Sequence, residues 1–241
     1  MQNSEALLTA MFVGLYVYDS VLLLYSNEAI LTPRGKDGWF VSFGSNRTTL
    51  KGKEVYLPLW PTQPLFRLAW EFEGAATGLS STWTAKRDAF TQFVPLIWSL
   101  AAFTFGLLPF ALFGRRGDLI ILLSFMLIYV NVLLIVLLLW FDRHKFDLTG
   151  KSFAVMALDL LICPPFALNI IRRLSLRVPV QEDLIHAARR LQTSDAWELT
   201  RVEVLARLDD EIGSEDEGTP RMAALLKRRS SLDDETHNVP Q

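Results

Sequence analysis

Two stretches of this chain carry no charged side chain: residues 89–114 and residues 119–141. A bilayer core about 30 Å thick is crossed by about 20 apolar residues in a helix, so each run is long enough to span one. Bulk composition alone does not say this, because 51% hydrophobic residues is ordinary for a soluble domain. The clustering says it, and it points to an integral membrane protein.

Four segments are expected to span: Ala6–Asn27, Phe93–Phe113, Leu119–Phe141 and Ser152–Ile171. GRRGD at 114–118 joins the second to the third, and DRHKFDLTGK joins the third to the fourth. Both links are short, so these three helices are antiparallel neighbours. Trp98, Trp140 and Phe141 sit near span ends, where aromatic rings suit the headgroup layer. No Lys or Arg precedes the first segment and no small-residue cleavage pattern follows it, so it reads as a retained helix.

The expected fold is an all-α membrane protein. A four-helix transmembrane bundle carries a small β-rich loop domain between spans one and two and a helical C-terminal tail. In residues this gives a first span in 1–27, an extracytoplasmic loop domain in 28–92, a three-span region in 93–171 and a cytoplasmic tail in 172–241. Four crossings put both termini on one face. Arg172, Arg173 and Arg177 directly after span four place that face in the cytoplasm. The location is the plasma membrane or a bacterial inner membrane.

In the loop, Phe66, Leu68, Trp70 and Phe72 alternate with Arg67, Ala69, Glu71 and Glu73, the period of a strand with one buried face. Trp39–Phe43 and Lys53–Leu57 are two further strand segments, with turn chemistry at Gly44–Asn46 between them. Residues 74–85 read as a flexible link. In the tail, Glu182 and Asp183 open one helix and Asp195 with Glu198 opens a second reaching Ile212, with Val202, Leu205 and Leu208 as its apolar stripe. Thr219-Pro220 starts a third, and 230–241 is polar and disordered.

Asp19 and Asp159 are the sharpest chemical feature. Charged residues inside spans face protein or water and mark pathways, proton relays or helix contacts. Asp19 lies eight residues before Asn27 and Asp159 seven after Ser152, which puts both roughly 11 Å below the same face. Asn131 lies roughly 15 Å from it. Tyr16 shares the Asp19 stripe. Asp19, Asp159, Asn131 and Tyr16 therefore form a candidate proton or cation site, in which paired carboxylates share a proton. The competing reading is polar glue between helices. Pro164-Pro165 kinks or breaks span four close to Asp159. Arg172, Arg173 and Arg177 are expected to anchor lipid headgroups.

Several classes lack their parts. Net charge is −2, with no basic face for nucleic acid. Cys163 is the single cysteine, which excludes an internal disulfide and a cysteine zinc cluster. His144, His186 and His237 all lie outside the spans, and no HExxH, P-loop or GxSxG motif is present. No cofactor or metal is expected, and an enzyme is disfavoured. The functional expectation is an interaction or accessory subunit of a membrane complex, with lipid and another membrane protein, or a second copy, as partners. A small oligomeric proton- or cation-coupled transporter is the alternative.

Overall fold

The computed structural model describes residues 2–35, 38–58, 60–70, 87–114, 118–178, 182–216 and 218–234. Glu71, Glu73, the 74–85 link, Arg115, Arg116 and 235–241 lie outside them. The chain forms two compact units. Met1–Leu22, Leu57–Leu65 and Ser81–Val178 make a helical unit, and Leu23–Tyr56, Phe66–Ser80 and Pro179–Gln241 make a mixed one.

The helical unit holds α1 (Gln2–Ser20), α2 (Arg87–Phe113), α3 (Asp118–Asp142), α4 (Gly150–Ile162) and α5 (Ile170–Ser175). On α3, Ile128, Val132, Ile135 and Leu139 form one buried stripe at helical spacing. Leu119, Leu122, Met126, Leu133, Leu137 and Phe141 on the same helix are exposed. In α2 the α-helical Val94–Ala101 widens into a π-helical stretch at Ala102–Leu107 before Leu108–Phe113. Pro109 accounts for this: it has no N–H for the Phe105 carbonyl, and its ring crowds that turn. Of the four expected spans, α2 and α3 are long and apolar enough to cross a membrane. The first ends at Ser20 rather than Asn27, because Leu22–Leu24 is already a strand.

The fourth expected span is not a continuous helix. Thr149 caps α4, its Oγ1 accepting from Ser152 N at 3.2 Å. Cys163 leaves the helical region at φ −129°, ψ 82°, as the ring of the following proline demands. Pro164–Asn169 then forms a 3₁₀ turn leading into α5. An unbroken helix would hold Ser152 and Arg177 about 37 Å apart, yet Arg177 Nη1 lies 2.6 Å from Ser152 Oγ. The chain therefore reverses at the proline pair and runs back beside α4.

The mixed unit contains two three-stranded sheets, in the orders β1-β5-β4 and β3-β2-β6. The strands are β1 (Leu22–Leu24), β2 (Glu28–Arg34), β3 (Gly38–Phe43), β4 (Ser45–Leu50), β5 (Lys53–Tyr56) and β6 (Phe66–Ala69). β2 is the centre of its sheet, antiparallel to both neighbours, with Ile30 opposite Ser42 on β3 and Arg67 on β6. Phe66 and Leu68 are buried and Arg67 is exposed. The expected turn at Gly44–Asn46 is instead the entry to β4. The reversal comes at Lys51-Gly52, both at positive φ (51° and 75°), the backbone of a tight two-residue hairpin.

Three helices complete this unit: α6 (Leu184–Leu191), α7 (Ser194–Ser214) and α8 (Pro220–Asp234). Asp183 caps α6, accepting from Ile185 N at 2.9 Å, and α6 packs on β2 and β3. Thr219 Oγ1 accepts from Met222 N at the start of α8. The buried side of α7 is Thr200, Val204, Arg207 and Leu208, whereas Val202 is exposed. Helix α8 continues through 230–234, where disorder was expected.

One contact bears on the expected placement of the loop and the tail. Four crossings would hold the 28–92 loop and the 172–241 tail on opposite faces. Arg207 of α7 instead ion-pairs with Glu54 of β5 at 2.7 Å, inside one compact unit. The reversal at Pro164-Pro165 brings the chain back along α4.

Candidate functional site

The end of α1 and the turn after α4 meet in the helical unit. Asp19 sits in the last turn of α1, where no basic residue accompanies it. A carboxylate beside the negative end of a helix dipole is unfavourable without a cation. Arg173, in the last turn of α5 where a positive charge is favoured, supplies it. Its Nη2 donates to Asp19 Oδ1 at 2.7 Å and its Nε to the same oxygen at 3.1 Å. Its Nη1 reaches Asp159 Oδ2 at 3.4 Å, and the guanidinium lies 4.8 Å from the Phe166 ring centre. One arginine thus bridges the two carboxylates.

Asn169 organises the surroundings. It is fully buried, and its Nδ2 donates to Asp19 Oδ2 and to Ser20 Oγ, both at 3.0 Å. Ser20 Oγ in turn donates to the Tyr16 carbonyl at 2.7 Å. Asn169 Oδ1 accepts from Arg172 Nη1 at 2.9 Å. Arg172 Nη2 continues to the Pro58 carbonyl at 3.2 Å, and Ser175 Oγ accepts from Leu65 N at 2.8 Å, which pins the 57–65 segment to α5.

The sequence-predicted residues separate on this geometry. Asp19 and Asp159 come together, but as partners of Arg173 rather than as a bare pair. Asn131 is elsewhere: its Nδ2 bonds Ser99 Oγ, a polar contact between α3 and α2. Tyr16 lends its carbonyl to the network, while its ring packs edge-on against Phe105 at 5.6 Å. Arg172, expected at headgroups, is 2% exposed and turned inward. Arg173 is likewise engaged with protein carboxylates, and Arg177 with Ser152. Asn169 and Ser20 were not foreseen. Asn169 had a signal, being a polar amide inside an apolar segment four residues beyond the proline pair.

A second ionic cluster belongs to the mixed unit. Arg207 is 4% exposed. It pairs with Glu54 and Glu203, donates to the Gly44 carbonyl at 3.1 Å, and covers the Phe43 ring at 4.7 Å. Gly44 has no room for a side chain, since a Cβ there would lie 2.4 Å from Glu54 Cβ. The adjoining depression, about 340 Å³, is lined by Glu54, Asp210 and Glu211 together with Arg207. Among the described residues no three His, Cys, Asp or Glu side chains converge to hold a metal ion. The cluster ties α7 to the strands.

No protein-family model, curated protein or solved structure matches this chain.

Proposed function

We propose that this chain is a multi-pass membrane protein that serves as an interaction or accessory subunit of a membrane complex. The observation that carries the membrane part is α3. It is apolar around its whole circumference, yet only 28% of its apolar window is buried. A helix hydrophobic on all sides is either enclosed by protein or faces lipid, and the exposed leucines of α3 leave lipid.

On this reading α2 and α3 cross the bilayer, and α1, less apolar but 19 residues long, crosses beside them. The hairpin of α4, the 3₁₀ turn and α5 enters partway and returns. The backbone freed at Cys163–Pro165 is acceptable at membrane depth only where protein covers it, and Pro164 and Pro165 are buried. By the count of crossings, the segments that follow α1 and α5 then lie on one face. Arg143, Lys145, Lys151 and Arg177 flank that face, against Arg115 and Arg116 in the link between α2 and α3. The positive-inside rule therefore makes it the cytoplasmic one.

What the polar groups do supports the accessory role. Arg173 pairs with Asp19 and Asn169 crosslinks, as structural contacts between membrane segments do. A second reading is proton or cation transport. It draws on the broken helix beside Asp159, an arrangement found at transporter sites. Native mass and composition after mild-detergent purification separate the two. The accessory reading expects a different protein at fixed stoichiometry. A homo-oligomer alone, with proton flux lost in Asp159→Asn, would favour transport.

A further inference from the structure

Helix α4 presents a half-exposed carboxylate on an apolar face. Val155, Leu158 and Ile162 point outward at 53%, 58% and 72% exposure, and Asp159 stands among them with its side chain 49% exposed. Phe153 packs edge-on against Trp140 near the end of α3, 5.1 Å between ring centres. Asp159 lies six residues further along α4, about 9 Å, abreast of Leu133 and Leu134, which are themselves exposed. At that depth a charge facing lipid is costly unless something pairs with it.

Arg173 does not complete the pairing, because it is divided. Nη2 and Nε serve Asp19 at 2.7 and 3.1 Å, and only Nη1 reaches Asp159, at 3.4 Å. Two carboxylates share one guanidinium, so the triad carries one negative charge in excess. Arg172 turns the other way, onto Asn169 and the Pro58 carbonyl.

We infer that this face of α4 docks a membrane helix of a different protein bearing a Lys or Arg at the depth of Asp159. The inference rests on the membrane reading above and names the chemistry of the partner. A second copy of this chain does not fit. Residues 1–33, 89–114 and 119–141 contain no Lys or Arg, and a second copy meeting this face through its own α4 would bring the same two carboxylates on one shared Arg173. A basic partner side chain cancels the excess charge, and its helix covers Val155, Leu158 and Ile162.

The test uses the full-length protein in phosphatidylcholine vesicles, labelled at its C-terminal end. The probes are acceptor-labelled Leu/Ala peptides of span length with one central Lys, Leu or Glu. Energy transfer reports association. The Lys peptide is expected to bind about tenfold more tightly than the Leu or Glu peptide, the scale of one interhelical polar contact. Asp159→Asn should erase that preference, Asp159→Glu should keep it, and Leu158→Trp should weaken all association with the face. Equal binding of the three peptides, or a Lys preference surviving Asp159→Asn, overturns the inference. Flotation of the vesicles is read in parallel: protein that does not float contradicts the membrane reading, whereas floating protein without a Lys preference contradicts the docking face alone.

Discussion

Arg173 grips Asp19 side-on, with Nη2 at 2.7 Å and Nε at 3.1 Å from Asp19 Oδ1, across 154 positions of sequence. This contact holds the end of α1 against the returning arm of the hairpin. Removing one partner of a largely buried pair strands the other charge. Arg173→Met should therefore cost about 3 kcal/mol, the low end for buried pairs, since Arg173 keeps 23% exposure. Thermal unfolding in detergent measures it. Arg173→Gln combined with Asp19→Asn should recover part of the loss; a double variant as unstable as Arg173→Met would show that the charge pair is not what matters.

Asn169 is the residue through which Asp19, Ser20 and Arg172 meet. Asn169→Ala leaves buried donors and acceptors without partners, which costs about 2 kcal/mol. The same unfolding assay reads it. Asn131→Ala, which breaks a single contact to Ser99, should cost less. Equal losses would place Asn131 in a larger network than its geometry indicates.

The proline reversal predicts a distance. Spin labels at positions 152 and 177, in a Cys163→Ser background, should lie far inside the roughly 37 Å of a continuous helix. Replacing Pro164 and Pro165 together by alanine restores two backbone donors and should lengthen that distance in part of the population. A wild-type distance near 37 Å would restore the fourth crossing.

These contacts divide what was legible in the sequence from what was not. Local chemistry was readable: the charge-free runs, the alternation at Phe66 and Leu68, Asp183 before α6 and Thr219-Pro220 before α8. The proline pair announced a break, but whether a broken helix bends or reverses depends on partners far away, here Ser152 for Arg177 and Asp19 for Arg173. The depth argument joined Asn131 to the carboxylates, but its side chain turns to Ser99 on α2 instead. Arg172 looked like an anchor because it follows an apolar run. Its inward turn depends on the Pro58 carbonyl, 114 positions away. Strands β2 and β4 lack a clean alternation, and their pairing is set by the sheet rather than by their own residues.

In the mixed unit, Arg207→Met should cost about 3 kcal/mol by leaving Glu54 buried without its cation. Gly44→Ala should cost about 1–3 kcal/mol through overpacking against Glu54. Hydrogen exchange on the full chain should show protection lost in β4, β5 and α7 together. Loss confined to α7 would contradict the link between them.

Glu198 offers a pH test. The hydrogen bond from Arg201 holds its carboxyl below the usual glutamate range. A lowered folded-state value stabilises above the unfolded value and is lost as pH falls through the folded one. Glu198 is exposed, so the effect is small and screened by salt. Exchange in the first turns of α7 should rise below about pH 4, less so at high salt. An increase that begins near neutral pH would point to another group.

The most direct test of the account concerns which faces of the membrane the two ends of the chain occupy. Tags at residue 1 and residue 241, read with an impermeant protease or label in sealed vesicles, should appear on opposite faces, with the residue-241 tag cytoplasmic and on the same side as a tag placed in the Lys51-Gly52 turn. Both end tags on one face, with the Lys51-Gly52 tag on the other, would mean that the chain crosses at α4 after all, and the re-entrant hairpin would be wrong.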